Sequence, residues 1–171
     1  ETTLIVSGGK VAAPPILQTV QKVALEQNRV VPAASSDDTA RTLVGCGRVL
    51  QDLQVVIAHP EKMTRCNSDE IGEIWVSGAS VTQGYWNRIE QTKQTFHAYL
   101  QDTGEGPFLR TGDLGFLQSG EVFITGRLKD LIIIRGRNHY PQDIELTVEN
   151  SHPALQPTCS AAFSVDVAGV E

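Results

Sequence analysis

Asp113 and Arg127 lie toward opposite ends of the stretch RTGDLGFLQSGEVFITGR, Arg110 to Arg127, which has the pattern of a β-hairpin with Ser119 and Gly120 at its tip. Folding that hairpin brings the two side chains to a common edge. A carboxylate that accepts from two vicinal hydroxyls, with a guanidinium donor opposite, makes a ribose clasp. Asp113 has a plainer reading as well, because an Asp in a polar turn commonly accepts backbone N–H bonds. Beyond the hairpin, GRLKDLIIIRGRN crowds Arg127, Lys129, Arg135 and Arg137 around the apolar run Leu131 to Ile134. Cations beside a buried run need an anionic partner or open solvent.

The whole chain carries 14 Lys plus Arg against 20 Asp plus Glu, a formal net charge of -6. Nucleic-acid and membrane-surface binders usually carry a basic excess that neutralises phosphates, so this balance excludes a general role of that kind and makes any anion site local. With 171 residues and 40% hydrophobic content the chain should fold as one globular domain, or as a domain and part of another. Cys46, Cys66 and Cys159 fit neither a metal-ligand spacing nor a disulfide framework and read as reduced thiols, which points to the cytoplasm. No stretch approaches the roughly 18 apolar residues of a membrane span. ETTLIVSGGK begins without Met or a signal pattern, and AAFSVDVAGVE reads as a strand, a turn and a cut-off strand, so both ends suggest a piece of a longer protein.

The elements that must position the hairpin follow from periodicity. Thr2 to Val6 is a short β-prone run. PPILQTVQKVALEQ sets Ile16, Val20, Val23 and Ala24 at helical spacing after a Pro start and predicts a helix, followed by a polar loop over 32–42 and an extended LVGCGRVL. LQVVIA from Leu53 and EIWVSG from Glu73 read as strands joined by a Pro-, Asn- and Asp-containing connection. A helix from about Arg88 to Leu100 would put Ile89, Phe96 and Leu100 on one face. DLIIIRG is apolar enough for a strand buried on both faces, and Pro141 opens a helix, PQDIELTVENS, with Asp143 and Glu145 early and Ile144 and Val148 inward. No repeat or low-complexity segment interrupts this order.

GEIWVSGASVTQGYW and FLRTGDLGFLQSGEVFITGRLKDLIIIRGRNHYPQDIE, ungapped from Phe108 to Glu145, together with the leading ET, resemble the later core motifs of the adenylate-forming enzymes: acyl-CoA synthetases, luciferases and peptide-synthetase adenylation domains. Two departures from the commonest pattern, Ile133 for a frequent Lys and Asn138 for a frequent Arg, together with HYPQDIE, resemble the fatty acyl-AMP ligase branch. The stretch before GCGRVL, Val11 to Thr42, looks longer than in ordinary acyl-CoA synthetases and matches a place where that branch carries an insertion.

The resemblance implies an α+β fold: residues 1–128 as the β-barrel-like last part of the large AMP-binding domain, and residues 129–171 as the truncated start of the small C-terminal domain. It implies that Asp113 and Arg127 bind the ATP ribose, that Lys129 is the hinge between the domains, and that Glu1 closes a motif binding the Mg²⁺ that bridges the phosphates. The implied reaction activates a fatty acid with ATP to an acyl adenylate and passes the acyl group to the phosphopantetheine arm of an acyl carrier protein, often in polyketide or lipopeptide pathways. The phosphate loop, the acyl pocket and the catalytic lysine would lie outside this chain, leaving it inactive alone. A long-chain acyl-CoA synthetase is the alternative enzyme, and a degenerate interaction module of the same fold the alternative class. Arg135 and Arg137 stay open between solvated charges and contacts to phosphate or a carrier.

Overall fold

The computed structural model describes residues 5–165. Its centre is an antiparallel sheet that curls into a half-barrel. The strands are β1 (Ser7–Gly8), β2 (Leu17–Gln21), β3 (Ala40–Val49), β4 (Leu53–Ala58), β5 (Gly72–Gly78), β6 (Leu109–Gln118) and β7 (Glu121–Arg127), in the order β1-β3-β7-β6-β5-β4 with β2 also on β3. A short helix α1 (Lys22–Leu25) follows β2, and α2 (Ile89–Phe96) lies between β5 and β6. After β7 come a 3-10 turn (Leu128–Asp130), a hairpin of β8 (Ile132–Ile134) and β9 (Arg137–His139), and α3 (Pro141–Glu149). No helix among the described residues is long and apolar enough to cross a membrane.

β4 and β5 are buried on both faces over Val55–Ala58 and Gly72–Val76, so core forms on each side of the sheet. On one side Val56, Trp75, Leu100 and Phe108 cluster; on the other Val55, Ile57, Ile74 and Val122 do. A third cluster joins Val20, Leu25, Leu43, Phe116, Phe123 and Tyr140. Within it Phe116 and Phe123 face each other across β6 and β7 with rings stacked 5.0 Å apart, the kind of cross-strand pair that pins hairpin register. Ser119 and Gly120 both have positive φ, 53° and 80°, as the two-residue turn matching the strands' right-handed twist requires. The central hairpin therefore forms as its sequence predicts.

Five expectations are corrected. PPILQTVQKVALEQ is not one helix: β2 pairs with β3 from Leu17↔Val44 to Gln21↔Ala40, and only the one-turn α1 follows. Val20 is fully buried within β2, but Ile16, just before the strand, and Val23, in α1, are more than half exposed, so the three do not form one apolar face. α2 stops at Phe96; Leu100 is buried from an extended segment in which Ala98 bridges to Phe108, and Ile89 is exposed. The apolar run after Lys129 buries only Ile132 of its three strand residues, since β8 pairs with β9 alone. α3 begins at Pro141 as expected, yet Ile144 and Val148 face outward; Pro141 and the preceding Tyr140 are the buried residues. Residues 161–165 form no strand, and the remainder of AAFSVDVAGVE, like Thr2 to Leu4, lies outside the described residues.

Leu25, 1% exposed, makes α1 part of the third cluster. Leu25→Ala is expected to cost about 2 to 5 kcal/mol of stability by leaving a cavity, read by denaturant unfolding of the whole protein. A change below about 0.5 kcal/mol would remove α1 from the core.

Candidate functional site

The hairpin edge that carries Asp113 is shaped by an irregularity in its pairing with β5. Glu73 pairs with Leu114 and Trp75 with Arg110, so the single residue Ile74 lies opposite the three residues Thr111 to Asp113. Such a bulge bends a strand away from its neighbour and re-aims side chains. Gly112 takes φ +74°, a conformation glycine adopts without steric cost. Thr111 Oγ1 donates to the Ile74 carbonyl at 2.7 Å and accepts from the Asp113 N–H at 3.1 Å.

The Glu73 carboxylate fills the mouth of the bulge. Its residue is 2% exposed, and a carboxylate taken that far from water needs several donors. Arg110 supplies Nε at 2.9 Å and Nη2 at 2.8 Å, Trp75 its indole Nε1–H at 3.0 Å, and Gly112 its backbone N–H at 3.1 Å. Arg110 also lies over the Trp75 ring at 5.6 Å and donates to the Pro60 carbonyl at 3.3 Å. Sequence reading passed over Glu73. The available signal was a lone charge in an otherwise apolar central strand, which demands a buried partner.

Emerging from the bulge, Asp113 is the direct cross-strand partner of Arg127 on β7. Arg127 Nε donates to Asp113 Oδ1 at 3.2 Å, with the Arg side chain 55% and the Asp side chain 34% exposed. Ion pairs this open contribute about 0 to 1 kcal/mol to stability, so the pair's value lies in what it presents to solvent: acceptor oxygens beside a fixed guanidinium. Lys129 is exposed in the 3-10 turn that follows, between β7 and β8. The structure thus brings Asp113 and Arg127 together and sets Lys129 just beyond them, at the joint. Glu1 lies outside the described residues, and among those described no three His, Cys, Asp or Glu side chains converge on a point that could hold a metal ion.

The remaining cations have other settings. Arg137 approaches Glu26 at 3.9 Å, while Arg135 and Gly136, both at positive φ, turn the β8–β9 hairpin. A groove of about 640 Å³ opens beside Arg110 and is lined in part by His59, Lys62, Cys66, Leu128 and Ile133; neither Asp113 nor Arg127 borders it. Burial pushes the Cys66 thiol up to about 11, so it is a protonated, unreactive wall of that groove at neutral pH.

The chain beyond Lys129 is held to the segment before β3. The Asn138 N–H donates to the Glu26 carbonyl at 3.0 Å, and its side-chain Nδ2 to Asn28 Oδ1 at 2.9 Å. Arg41 pairs with Asp143 at 3.2 Å and lies over the Tyr140 ring at 5.3 Å. Tyr140 is 3% exposed against Val20 and Leu25, and this burial pushes its phenol above the ordinary tyrosine range. Gly126 admits the ring, because a Cβ there would lie 2.9 Å from Tyr140 Cδ1.

No protein-family model matches the chain. Individual proteins do. It is 53% identical, over its whole length, to the medium-chain-fatty-acid–[acyl-carrier-protein] ligase JamA of Moorena producens, of which it spans 29%. Among solved structures, one from a study of the fatty acyl-adenylate ligases of E. coli and L. pneumophila matches 94% of the chain at 34% identity and TM-score 0.78, the match covering 28% of that protein. A fatty acyl-adenylate ligase from L. pneumophila, solved in complex with acyl adenylate and pyrophosphate, matches 96% at 40% identity and TM-score 0.69, again over 28% of its length. The chain belongs to the fatty acyl-AMP ligase branch of the adenylate-forming superfamily, and it spans somewhat under a third of the length of these relatives.

Proposed function

We propose that the whole protein containing this chain activates a fatty acid with ATP and passes the acyl group from the resulting acyl adenylate to the phosphopantetheine thiol of an acyl carrier protein. The observation that carries this reading is the cross-strand Asp113–Arg127 pair on the bulged hairpin, in a chain of this family. In the first half-reaction a carboxylate oxygen bonds to the α-phosphorus of ATP, the bond to the bridging oxygen breaks, and pyrophosphate leaves. Little covalent work falls to the protein in such a step; alignment and charge neutralisation dominate. Asp113 accepts from the ribose hydroxyls, Arg127 donates beside them, and together they fix the nucleotide's distance from the acid. Glu1 is the proposed ligand of the Mg²⁺ that neutralises the phosphates.

Lys129 is proposed as the hinge of a C-terminal domain beginning there, since the 3-10 turn is a short element-terminal joint of the kind that absorbs a rotation. Lys129→Pro fixes φ near −65°. Adenylation is expected to survive it better than transfer to the carrier, because only transfer needs a second pose. ATP–pyrophosphate exchange reports the first half-reaction and acyl-carrier formation the second; equal loss of both in a folded variant would end the hinge assignment.

The activity itself is tested with the full-length protein, ATP and fatty acids of graded length, supplied in turn with an acyl carrier protein and with coenzyme A. Acyl adenylate and acyl carrier as products support the proposal. Acyl-CoA as the main product makes the protein an acyl-CoA synthetase, and no pyrophosphate exchange with any acid makes it a module without nucleotide chemistry.

A further inference from the structure

We propose that Glu73 is a positioning residue for the nucleotide: its buried carboxylate sets the bulge that aims Asp113 at the ribose. The inference rests on the ribose role given to Asp113 and Arg127. Three observations lead to it. First, the bulge between Trp75 and Glu73 is where β6 leaves regular pairing, and Asp113 is its last residue. Second, both carboxylate oxygens are engaged in holding it: Oε1 accepts from the Gly112 N–H, one peptide before Asp113, while Oε2 accepts from Arg110 and Trp75. Third, Glu73 has no access to a ligand of its own, being 2% exposed beneath Arg110, so any effect on nucleotide must pass through the turn it organises.

The physical logic is a conversion of buried charge into loop precision. A neutral amide in place of the carboxylate keeps one acceptor oxygen but puts an NH₂ group where the second acceptor was, facing either the Gly112 N–H or the Arg110–Trp75 donors. In both orientations at least one donor loses its partner, and the Arg110 guanidinium loses its counter-charge. The turn then samples geometries in which Asp113 no longer lines up with Arg127. Binding energy drawn from the ribose falls, while the steps that do not involve ribose are left alone.

The test uses the full-length enzyme and compares ATP with 2′,3′-dideoxy-ATP in pyrophosphate exchange, so that the ribose hydroxyls are the only variable. Asp113→Ala is the reference and should abolish the preference for ATP. Glu73→Gln is expected to raise KM for ATP roughly tenfold, the scale of losing one charge-assisted hydrogen bond. It should also shrink the preference over the dideoxy nucleotide by a similar factor and change kcat at saturating ATP much less. A purely architectural role would instead lower kcat with both nucleotides alike and leave their ratio intact. Full retention of the preference in folded Glu73→Gln, with the reference behaving as expected, overturns the positioning role and spares the ribose reading. Retention of the preference in Asp113→Ala removes the ribose reading and this inference with it. Should Glu73→Gln fail to fold, Arg110→Gln breaks the same bridge from its more exposed side and decides by the same ratio.

Discussion

Asp113→Ala in the full-length enzyme is expected to weaken ATP binding by roughly tenfold or more while leaving the protein folded. The affinity loss follows from removing a carboxylate that accepts charge-assisted bonds, each about 1.5 to 3 kcal/mol, and from leaving Arg127 without its complement. The stability change should be small, because the pair is open to solvent and such pairs contribute about 0 to 1 kcal/mol. That separation gives the prediction its force: calorimetric titration with ATP should show the loss, and thermal unfolding should move by only a few degrees. A folded variant with unchanged ATP affinity would strip Asp113 of the ribose role, and Asn at the same position should recover part of the binding, since one acceptor oxygen returns.

The elements of this chain differ in how far their local sequence specifies them. The β6–β7 hairpin was legible because its levels agreed: two β-prone runs, a Ser119–Gly120 tip that takes positive φ, and paired Phe116 and Phe123 to set register. β4 and β5 were legible as apolar, β-branched runs. The segment around Val20 was not, because in so short a stretch one apolar periodicity fits a helix and a half-buried strand alike. What decided it was a free edge on β3, five residues long in the observed pairing, and no local sequence reports that. The outward Ile144 and Val148, more than a third exposed, show the converse limit: apolar residues at helical spacing say that a face exists, not that it is covered.

The site followed the same division. Asp113 and Arg127 could be paired from sequence because hairpin register fixes partners fourteen residues apart. Glu73 could not be joined to them, since its partners come from its own strand and from a bulge whose length is set by three-dimensional fit. Nor could Asn138 be joined to Asn28, which is 110 residues earlier. Contacts of that range depend on how the segment before β3 and the chain after Lys129 fold over the same end of the half-barrel.

Loosening that last contact is expected to change the product of the full-length enzyme. An apolar helical face of Ile16, Val20 and Val23, had the stretch from Val11 to Thr42 formed one, would be the simplest device for restraining the C-terminal segment. The contact in the structure is different: a buried Tyr140 against Val20 and Leu25, flanked by the bonds of Asn138 to Glu26 and Asn28 and the Arg41–Asp143 pair. An aromatic side chain buries about 150 to 250 Å², and at roughly 25 cal/mol per Å² its docking is worth about 4 to 6 kcal/mol. A bias of that size shifts a two-state equilibrium by about 10³ to 10⁴, ample to hold the segment in one pose if Lys129 is the hinge proposed above. Tyr140→Ala should therefore release the segment, and Asn138→Ala with Arg41→Ala should do so in part. Deleting the stretch outright is a poorer test, because Val20, Leu25 and Val30 would leave the core with it. With ATP, fatty acid and coenzyme A supplied, the released variants are expected to form acyl-CoA at a rate at least tenfold above the parent, in proportion to the contacts removed. Protease sensitivity at the Leu128–Asp130 turn should rise in the same order, reporting the release independently of chemistry. Acyl adenylate accumulating without acyl-CoA, in a variant whose turn has become protease-sensitive, would show that freedom of the segment is not what coenzyme A lacks, and the proposed preference for a carrier would then have to reside in the shape of the thiol-binding groove.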